Sequence, residues 1–400
     1  YEKESDIGGS CRSKTVNGFT FDLAGHLLHF KTHSVFRLVN KLLGSNIAEH
    51  TRHSYIFSNN TFSPYPFQAN TYRLPRSVAK ECLAGLVHNG RDMVHPTNFY
   101  EWMMKNFGKG MTKHFMLPYN QKFWKRHPRY LTCGWLDGKI PVPSLSDSIA
   151  GAFAHSEKSW GYNARFWYPK KGGIAALARA FEKNVKRISF NYELRRIDLE
   201  KQHVEFGNGV SKKFDFLVLT IPLAQLLSII HPLPQKIALA FKQLNYLSIV
   251  NHNVGVTKHC MRSKHWIYFP EKKFIFYRIG TFSNFSHHAA PPGCSSLYIE
   301  VSSKRHLSGE RDPFLISKIE DDLMQLRLIS NKKEIVARNT NYIKYGYIVY
   351  DHRYAFARNT LLKYLKENNI LPIGRFGSWR YLTMEESILD GQCAAERLNY

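Results

Sequence analysis

Two short glycine turns with charged neighbours stand near opposite ends of the chain. In the first, Gly8 and Gly9 follow Glu2 and precede Arg12. Glycines let backbone N–H groups approach a pyrophosphate, an arginine neutralises it, and a carboxylate at a strand end accepts hydrogen bonds from ribose hydroxyls. The pattern predicts a dinucleotide site, and an ordinary acidic surface turn is the alternative.

The second turn contains Gly374 and Arg375 and precedes a predicted helix. Thr383 and Glu386 have the spacing of a capping box, which places the helix start at Thr383. A helix start presents N–H groups and the positive end of the helix dipole, and both stabilise negative charge on a bound group. A plain capped surface helix is the alternative.

Apolar spacing predicts the elements that would position these turns. Asn98 and Glu101 have capping-box spacing before a helical pattern of aromatic and Met residues, and the pair Gly172-Gly173 opens another helix. The segment 18–22 alternates apolar and polar residues, as in a strand.

Strands are predicted in the second half of the chain. Residues 188–222 are typical of several strands, of which 214–222 predicts a buried strand that ends at a proline turn. Residues 236–345 alternate short aromatic strands with turns, and 370–373 predicts a strand directly before the second glycine turn.

The composition is that of a packed protein with a strongly basic surface. Of 400 residues, 44% are hydrophobic and 22% are charged, which excludes a fully disordered chain. Lys and Arg number 56 against 31 Asp and Glu, which gives a net charge of +25 and predicts an anionic partner. At about 100 to 200 residues per domain, the length predicts two or three domains.

Six scattered cysteines contain no CxxC pair, and no signal-like leader precedes Tyr1, so we expect a reduced, cytoplasmic protein. The longest apolar stretch, 216–230, is interrupted by polar residues and proline. It is too short for a membrane span, and we predict no transmembrane helix.

Two other clusters have residue types that could bind a ligand. His26, His29 and His33 have a spacing that could ligate a metal on a helix, but no carboxylate or cysteine completes the shell, so no metal site is predicted. The basic segment 122–129, interleaved with aromatic rings, could meet nucleic acid. No nucleic-acid module accompanies it, and a solvated helix end is the better prediction.

The segments 2–22, 214–222 and 374–391 together resemble the FAD-binding parts of the flavin amine oxidase and protoporphyrinogen oxidase superfamily. Within it, the chain is most similar to the UDP-galactopyranose mutases. The most specific motif is Gly374-Arg375-Phe376-Gly377-Ser378-Trp379-Arg380-Tyr381-Leu382-Thr383-Met384. Gly25-His26-Leu27-Leu28-His29 resembles the mutases' histidine segment beside the flavin, and 119–124 resembles the helix end that carries their sugar-pocket Trp.

The resemblance implies a cofactor and a set of site residues. The segments 163–166 and 276–279 resemble the two arginine segments that bind the substrate diphosphate in the mutases. The implied catalytic residues are Arg165, Arg278, Trp124, Tyr381 and His29. The implied FAD-binding residues are Glu2, Gly8, Gly9, Arg12, Gly374, Arg375, Thr383 and Met384.

The predicted fold is α/β, with a discontinuous Rossmann-like FAD-binding domain and an inserted helical and antiparallel-sheet substrate domain. The first FAD segment is expected to be N-terminally truncated, because the family's GxGxxG loop stands about 30 residues before the ribose carboxylate. The FAD-binding segments are 1–50, 161–225 and 346–400, and the substrate segments are 51–160, mainly helical, and 226–345, antiparallel sheet.

The favoured function, as the resemblance implies, is interconversion of the pyranose and furanose forms of a nucleotide sugar by covalent catalysis at flavin N5. The partner would be a small anionic substrate rather than nucleic acid, and the sequence predicts no oligomeric state. An FAD-dependent oxidase or desaturase of the same superfamily is one alternative. A cofactor-poor basic binding protein is the other.

Overall fold

The structure is a computed structural model that describes residues 1–88, 95–136, 138–156, 158–304 and 312–398. Its helices are α1 (His33–Leu43), α2 (Arg76–Val87), α3 (Phe99–Met111), α4 (Leu117–Trp124), α5 (Leu145–Phe153), α6 (Ala175–Glu182), α7 (Gln235–Lys242), α8 (Pro313–Gln325), α9 (Tyr354–Glu367), α10 (Gly374–Gly377) and α11 (Met384–Leu398). Its strands are β1 (Ser13–Val16), β2 (Phe19–Asp22), β3 (Ile47–Thr51), β4 (Ser54–Ser58), β5 (Thr61–Pro64), β6 (Arg165–Pro169), β7 (Leu194–Asp198), β8 (His203–Phe206), β9 (Ser211–Lys213), β10 (Leu217–Leu219), β11 (Ile230–His231), β12 (Tyr246–Val256), β13 (Trp266–Tyr268), β14 (Arg278–Thr281), β15 (Ser295–Ser303), β16 (Ile335–Ile348) and β17 (Ile370–Pro372).

A seven-stranded sheet forms the largest layer, with the strand order β16-β12-β15-β14-β13-β4-β5. Its neighbours are antiparallel except β13 and β4, which pair in parallel. The sheet confirms the strands predicted within 236–345, and β4 and β5 join it from the segment predicted to be mainly helical. The register sets Arg278 of β14 opposite Glu300 of β15. The predicted domain boundaries themselves stay a prediction.

A parallel pair of strands, β10 and β17, leads into the second glycine turn and then into α11. The prediction of a buried strand over 214–222 was wrong in extent and burial, because β10 covers three residues, Phe216 is 61% exposed and Val218 is 37% exposed. Within the part of the chain that the structure describes, β10 pairs with β17 alone, so its outward side chains have no covering layer.

Helices α2, α3 and α5 pack together around residues Phe67–Ala69, which follow β5. Asn98 caps α3 through its Oδ1, which accepts from the N–H of Glu101 at 3.0 Å. The Glu101 carboxylate binds the N–H of Thr97 at 2.8 Å, one residue earlier than the predicted capping box requires. Helices α2 and α3 cross in close contact, because a Cβ at Gly108 would lie 2.0 Å from the carbonyl oxygen of Gly85. Among the described residues, no helix is long and apolar enough to cross a membrane.

Asp22 ties the β1–β2 hairpin to the start of α6. Its carboxylate accepts hydrogen bonds from Oγ of Ser13 at 2.6 Å, Oη of Tyr168 at 2.7 Å and the N–H of Ile174 at 3.0 Å. The burial of this carboxylate raises its pKa to about 6, and the three hydrogen bonds only partly oppose that effect.

Replacing Asp22 with Asn should change how stability depends on pH. Because the folded-state pKa is above the unfolded value of about 3.9, the stabilisation that protonation gives is full below about pH 4 and is lost as the pH rises through about 6. The free energy of unfolding of the wild type, relative to Asp22→Asn, should therefore fall by about 2 kcal/mol between about pH 4 and pH 7. Urea unfolding of both proteins at each pH measures this difference. Parallel pH profiles would contradict it.

Candidate functional site

The turn before α11 has the geometry that the sequence predicts. The N–H of Thr383 donates to Oε2 of Glu386 at 2.7 Å, and the N–H of Glu386 donates to Oγ1 of Thr383 at 3.1 Å. This reciprocal pair confirms the capping box. Gly374 has a φ of +73°, and no described atom lies within 4 Å of the position that a Cβ would take there. Open space therefore adjoins Gly374, whose N–H donates to Asp390 of α11 at 2.9 Å.

Arg375 is half-buried against aromatic rings. Its Cζ lies 4.3 Å from the ring centroid of Tyr381 and 5.2 Å from that of Tyr347. Nη1 donates to the carbonyl oxygen of Leu382 at 3.2 Å, and no carboxylate of the described residues forms an ion pair with Arg375. Its positive charge is therefore available to an anionic group bound beside the turn.

Arg278 is held by a buried carboxylate on the next strand. Its Nε donates to Oε2 of Glu300 at 2.5 Å, and Glu300 is 1% exposed. Burial lowers the pKa of the Arg278 guanidinium, but Glu300 and the tyrosines around it act more strongly in the opposite direction and keep that pKa above its ordinary range. The other Glu300 oxygen accepts from the N–H of Gly25 at 3.3 Å. Glu300 thus fixes Arg278 relative to the histidine segment, and neither Nη group of Arg278 has a hydrogen bond within the described residues.

Tyrosine rings pack around this arginine, and Arg278, Glu300 and the rings of Tyr277, Tyr298 and Tyr347 are together called the cleft. The Cζ of Arg278 lies 5.8 Å from the ring centroid of Tyr277 and 5.9 Å from that of Tyr298. Burial raises the pKa of Tyr347 to about 12, although the charges of Arg278 and Arg375 both act to lower it. Burial also raises the pKa of Tyr277 and of Tyr298. These hydroxyls are therefore neutral at pH 7 and can donate hydrogen bonds to an anion.

The two histidines of the segment 25–29 are uncharged at pH 7, because burial lowers the pKa of each to about 4. Nδ1 of His26 lies 2.9 Å from the carbonyl oxygen of Ala24. A carbonyl can only accept, so Nδ1 carries the proton and Nε2 keeps its lone pair. His29 packs edge-on against Tyr162, with ring centroids 4.7 Å apart, and both its ring nitrogens are buried without a partner among the described residues. Such nitrogens indicate a place for a bound polar group.

Glu385 fastens this segment to the start of α11. Its carboxylate accepts from the N–H groups of Lys31 at 3.0 Å and Thr32 at 2.6 Å, and the residue is 4% exposed. Thr32 precedes α1 and makes no side-chain cap of its own, so Glu385 takes the place of that cap. A small cavity between the two elements is lined by His29, Lys31, Thr383 and Glu385, among others.

The rings of Trp124 and Tyr381 both lie beside the ring of Tyr347. Trp124 is 2% exposed, and its ring centroid lies 6.4 Å from that of Tyr347. Tyr381 stacks on Tyr347, with centroids 6.1 Å apart and an interplanar angle of 13°. The structure therefore places three predicted site residues, Trp124, Arg375 and Tyr381, beside the ring of Tyr347, and a fourth, Arg278, beside the rings of Tyr277 and Tyr298.

Lys122 does not lie at a solvated helix end, contrary to expectation. Its Nζ donates to three backbone carbonyls of the β13–β14 connection, those of Phe269 at 2.7 Å, Glu271 at 2.5 Å and Phe276 at 3.1 Å. Burial lowers the pKa of this lysine to about 7. Lys122 thus docks α4, with Trp124, against the strand that carries Arg278.

Arg165 lies outside the cleft, and the structure does not bring it together with Arg278. Its side chain is 70% exposed and pairs with Glu49 across the β3–β6 ladder at 3.0 Å. The next residue, Phe166, is buried. Because successive side chains of a strand point to opposite faces, the burial of Phe166 directs Arg165 toward solvent. The role toward a diphosphate that the resemblance implies for Arg165 stays a prediction.

The first glycine turn is present at the predicted place. Gly8 and Gly9 have φ values of +101° and +53°, and no described atom lies within 4 Å of the Cβ position at Gly9. Nε of Arg12 donates to the carbonyl oxygen of Gly9 at 2.9 Å. The backbone N–H of Glu2 donates to Ser189 at 2.8 Å, and its carboxylate accepts from the N–H of Glu4 at 3.0 Å. The roles of these residues toward FAD stay predictions.

Sequence reasoning missed Glu300, Tyr298 and Tyr347. Each reaches the cleft through strand pairing with segments far away in the chain, which no local motif reveals. A signal was nevertheless present, because Glu300 is the lone carboxylate of the strand Ser295–Ser303. A charged residue in a buried strand requires a partner of opposite charge.

Comparison with known proteins agrees with this geometry. The family described as flavin containing amine oxidoreductase matches residues 1–399. The chain belongs to this family. The crystal structure of reduced UDP-galactopyranose mutase resembles this chain with a TM-score of 0.90 and 28% identity, covering 100% of this chain and 89% of that chain.

Two other solved structures share the fold of this chain. A putative protoporphyrinogen oxidase from Exiguobacterium sp. 255-15 has a TM-score of 0.76 and 15% identity, covering 99% of this chain and 91% of that chain. Putrescine oxidase bound to putrescine has a TM-score of 0.61 and 12% identity, covering 99% and 92%. The predicted superfamily, fold class and flavin cofactor are confirmed, and the chain is a flavin-dependent enzyme.

The residues of this flavin-dependent enzyme fit a flavin nucleotide. Gly9 and Gly374 adopt positive φ with open space beside them, which allows a ligand to approach the backbone. Arg375 supplies a cation without a carboxylate partner in the described chain, and the start of α11 supplies a helix N-terminus. In that arrangement Thr383 and Met384 would hold the flavin ring at the helix start.

Proposed function

We propose that this enzyme binds FAD and acts as a mutase on a nucleotide sugar, interconverting the pyranose and furanose forms. The observation that carries the proposal is the charge of the tyrosine-lined cleft. Arg375 lies 5.2 Å from the ring centroid of Tyr347, and Arg278 lies beside the rings of Tyr277 and Tyr298. The carboxylate of Glu300 is already bound to Arg278 and to the N–H of Gly25. An amine substrate would enter this cleft as a cation and would be repelled, whereas a nucleotide diphosphate would be attracted.

The similarity to UDP-galactopyranose mutase supports the same substrate class. It extends over the whole of this chain at 28% identity, and the protein in that crystal structure is a mutase in its reduced form. The oxidase neighbours have identities of 15% and 12% and support the fold alone.

The side chains of the cleft would bind and orient the substrate. The two Nη groups of Arg278 form a planar fork suited to two phosphate oxygens, since Nε is occupied by Glu300. Neutral tyrosine hydroxyls would donate to the remaining oxygens, and the aromatic packing of Trp124 would exclude water. When bound, a reduced flavin supplies the electron-rich centre that this chemistry requires.

The uncharged His26 adds a lone pair at Nε2 beside these cations. Its Nδ1 proton is held by Ala24, so at pH 7 the ring can accept a hydrogen bond at Nε2 but carries no charge. A substrate hydroxyl would be a suitable donor to it. Protonation below about pH 4 would add a third positive charge near the two arginines.

Incubation of the FAD-loaded enzyme, reduced with dithionite, with UDP-galactofuranose tests the proposal. Chromatography should show conversion to UDP-galactopyranose, and the oxidised enzyme should be inactive. The oxidase alternative is tested in parallel by adding putrescine or a porphyrinogen to the oxidised enzyme and measuring hydrogen peroxide. Peroxide formation without sugar conversion would replace the mutase with an oxidase.

A further inference from the structure

Arg52 is a half-buried arginine in the connection between β3 and β4. Its Nη1 donates to Oδ1 of Asn163, and its Nη2 donates to the carbonyl oxygen of Trp160 at 2.6 Å. Its Cζ lies 4.7 Å above the ring centroid of Tyr65. The guanidinium is thus fixed in position by two loop residues and one ring.

This arginine has no carboxylate partner among the described residues, unlike its counterparts. Arg165 is paired with Glu49, and Arg278 is paired with Glu300. A guanidinium carries five N–H donors, and the described hydrogen bonds of Arg52 use two of them. A cation withdrawn from water without a counter-ion is unfavourable, so the position is suited to binding an anion.

A row of tyrosines connects Arg52 to the cleft. The ring of Tyr65 lies 5.4 Å from that of Tyr268. Tyr268 faces Arg278 in the β13–β14 register, and its ring lies 5.5 Å from that of Tyr119. Burial raises the pKa of Tyr65, although the charge of Arg52 acts to lower it, so this phenol is neutral at pH 7. Arg52 and Arg278 therefore adjoin the same row of tyrosines.

We propose that Arg52 is the second cation that binds the phosphate groups of the substrate, in the role that the resemblance implied for Arg165. The inference rests on the proposed function, and its ligand class is a diphosphate. Arg278 would bind at one side of the tyrosine row and Arg52 at the other. The hydrogen bonds to Asn163 and Trp160 fix the orientation of the Arg52 guanidinium before the ligand binds, and this lowers the entropic cost of binding.

A purely structural role makes a different prediction. If Arg52 served only to hold the loop at 160–163, removing its partner with Asn163→Ala would weaken ligand binding as much as removing the charge. If Arg52 binds phosphate, the charge matters more than the loop contact. Arg52→Lys, which keeps the charge and loses the planar fork, should then fall between the wild type and Arg52→Ala.

The experiment is calorimetric titration of the FAD-loaded enzyme with UDP and, separately, with inorganic pyrophosphate. Arg52→Ala should weaken both by about 10- to 150-fold, the value of a hydrogen-bonded charged contact. Arg165→Ala, the rival assignment, should change both by less than about threefold. Arg195→Ala is a matched control, because that exposed arginine on β7 is paired with Glu193 at 2.6 Å.

Each result decides the assignment. The assignment of Arg52 is wrong if the Arg52→Ala variant binds both ligands as tightly as the wild type. It is also wrong if the Asn163→Ala variant loses as much affinity for them as the Arg52→Ala variant. If Arg52→Ala does not fold, Arg52→Lys and Asn163→Ala decide by the same comparison. If the wild type binds pyrophosphate through Arg52 but does not bind UDP, the anion site at Arg52 is supported and the nucleotide-sugar substrate is contradicted. If the wild type binds neither pyrophosphate nor UDP, both the anion site and the nucleotide-sugar substrate are contradicted.

Discussion

Replacing Arg278 with alanine should weaken binding of UDP by about 10- to 150-fold and lower turnover at least in proportion, because the planar fork for the phosphate is lost. It should also destabilise the fold. The carboxylate of Glu300 would remain 1% exposed without its cation, and breaking a buried ion pair from one side costs about 3 to 5 kcal/mol. Calorimetry with UDP and urea unfolding measure the two effects separately.

The double variant Arg278→Ala, Glu300→Gln distinguishes binding from stability. Glutamine removes the unpaired buried charge and can still accept from the N–H of Gly25. We expect the double variant to regain most of the lost stability while UDP binding stays weak. Recovery of UDP binding along with stability would mean that Arg278 acts only through the fold.

Local patterns in the sequence predicted the parts of the site that are built locally. The capping box of Thr383 and Glu386 and the turns at Gly8 and Gly374 depend on residues close together in the chain. Backbone conformation and capping chemistry are set by such neighbours, so the sequence alone was sufficient there.

The cleft could not be derived in this way because it depends on strand register. Glu300 meets Arg278 only because β15 pairs with β14, and Tyr347 reaches both through β16 at the sheet edge. Arg165 shows the reverse case, since its segment resembled a phosphate-binding one but strand alternation turns it to solvent. Lys122 was expected in water because its neighbours are basic, yet three carbonyls in the β13–β14 connection compensate its burial.

Replacing Arg375 with alanine should weaken FAD binding by about 10- to 150-fold and lower the flavin reduction potential. The guanidinium is half-buried over Tyr381 and has no ion-pair partner among the described residues, so an anionic group at the turn would face an undiminished charge. Reduction adds negative charge to the flavin, and loss of a nearby cation destabilises that form. A difference of about 1.5 to 3 kcal/mol corresponds to about 30 to 65 mV for a two-electron couple. Flavin absorbance after dialysis and a dye-equilibration titration provide the measurements.

Arg380 is the matched control, because it belongs to the same turn but is neutralised. Its Nη2 pairs with Oδ1 of Asp390 at 2.6 Å, and that carboxylate also accepts from the N–H of Gly374 at 2.9 Å. Arg380→Ala removes a positive charge from the same segment, five residues after Arg375. That charge is already balanced by Asp390. FAD affinity should therefore change by less than about threefold, as for a partly exposed ion pair. Equal losses in the two variants would show that FAD responds to the summed charge of the turn. An unchanged affinity and potential in Arg375→Ala would place its guanidinium outside the flavin site.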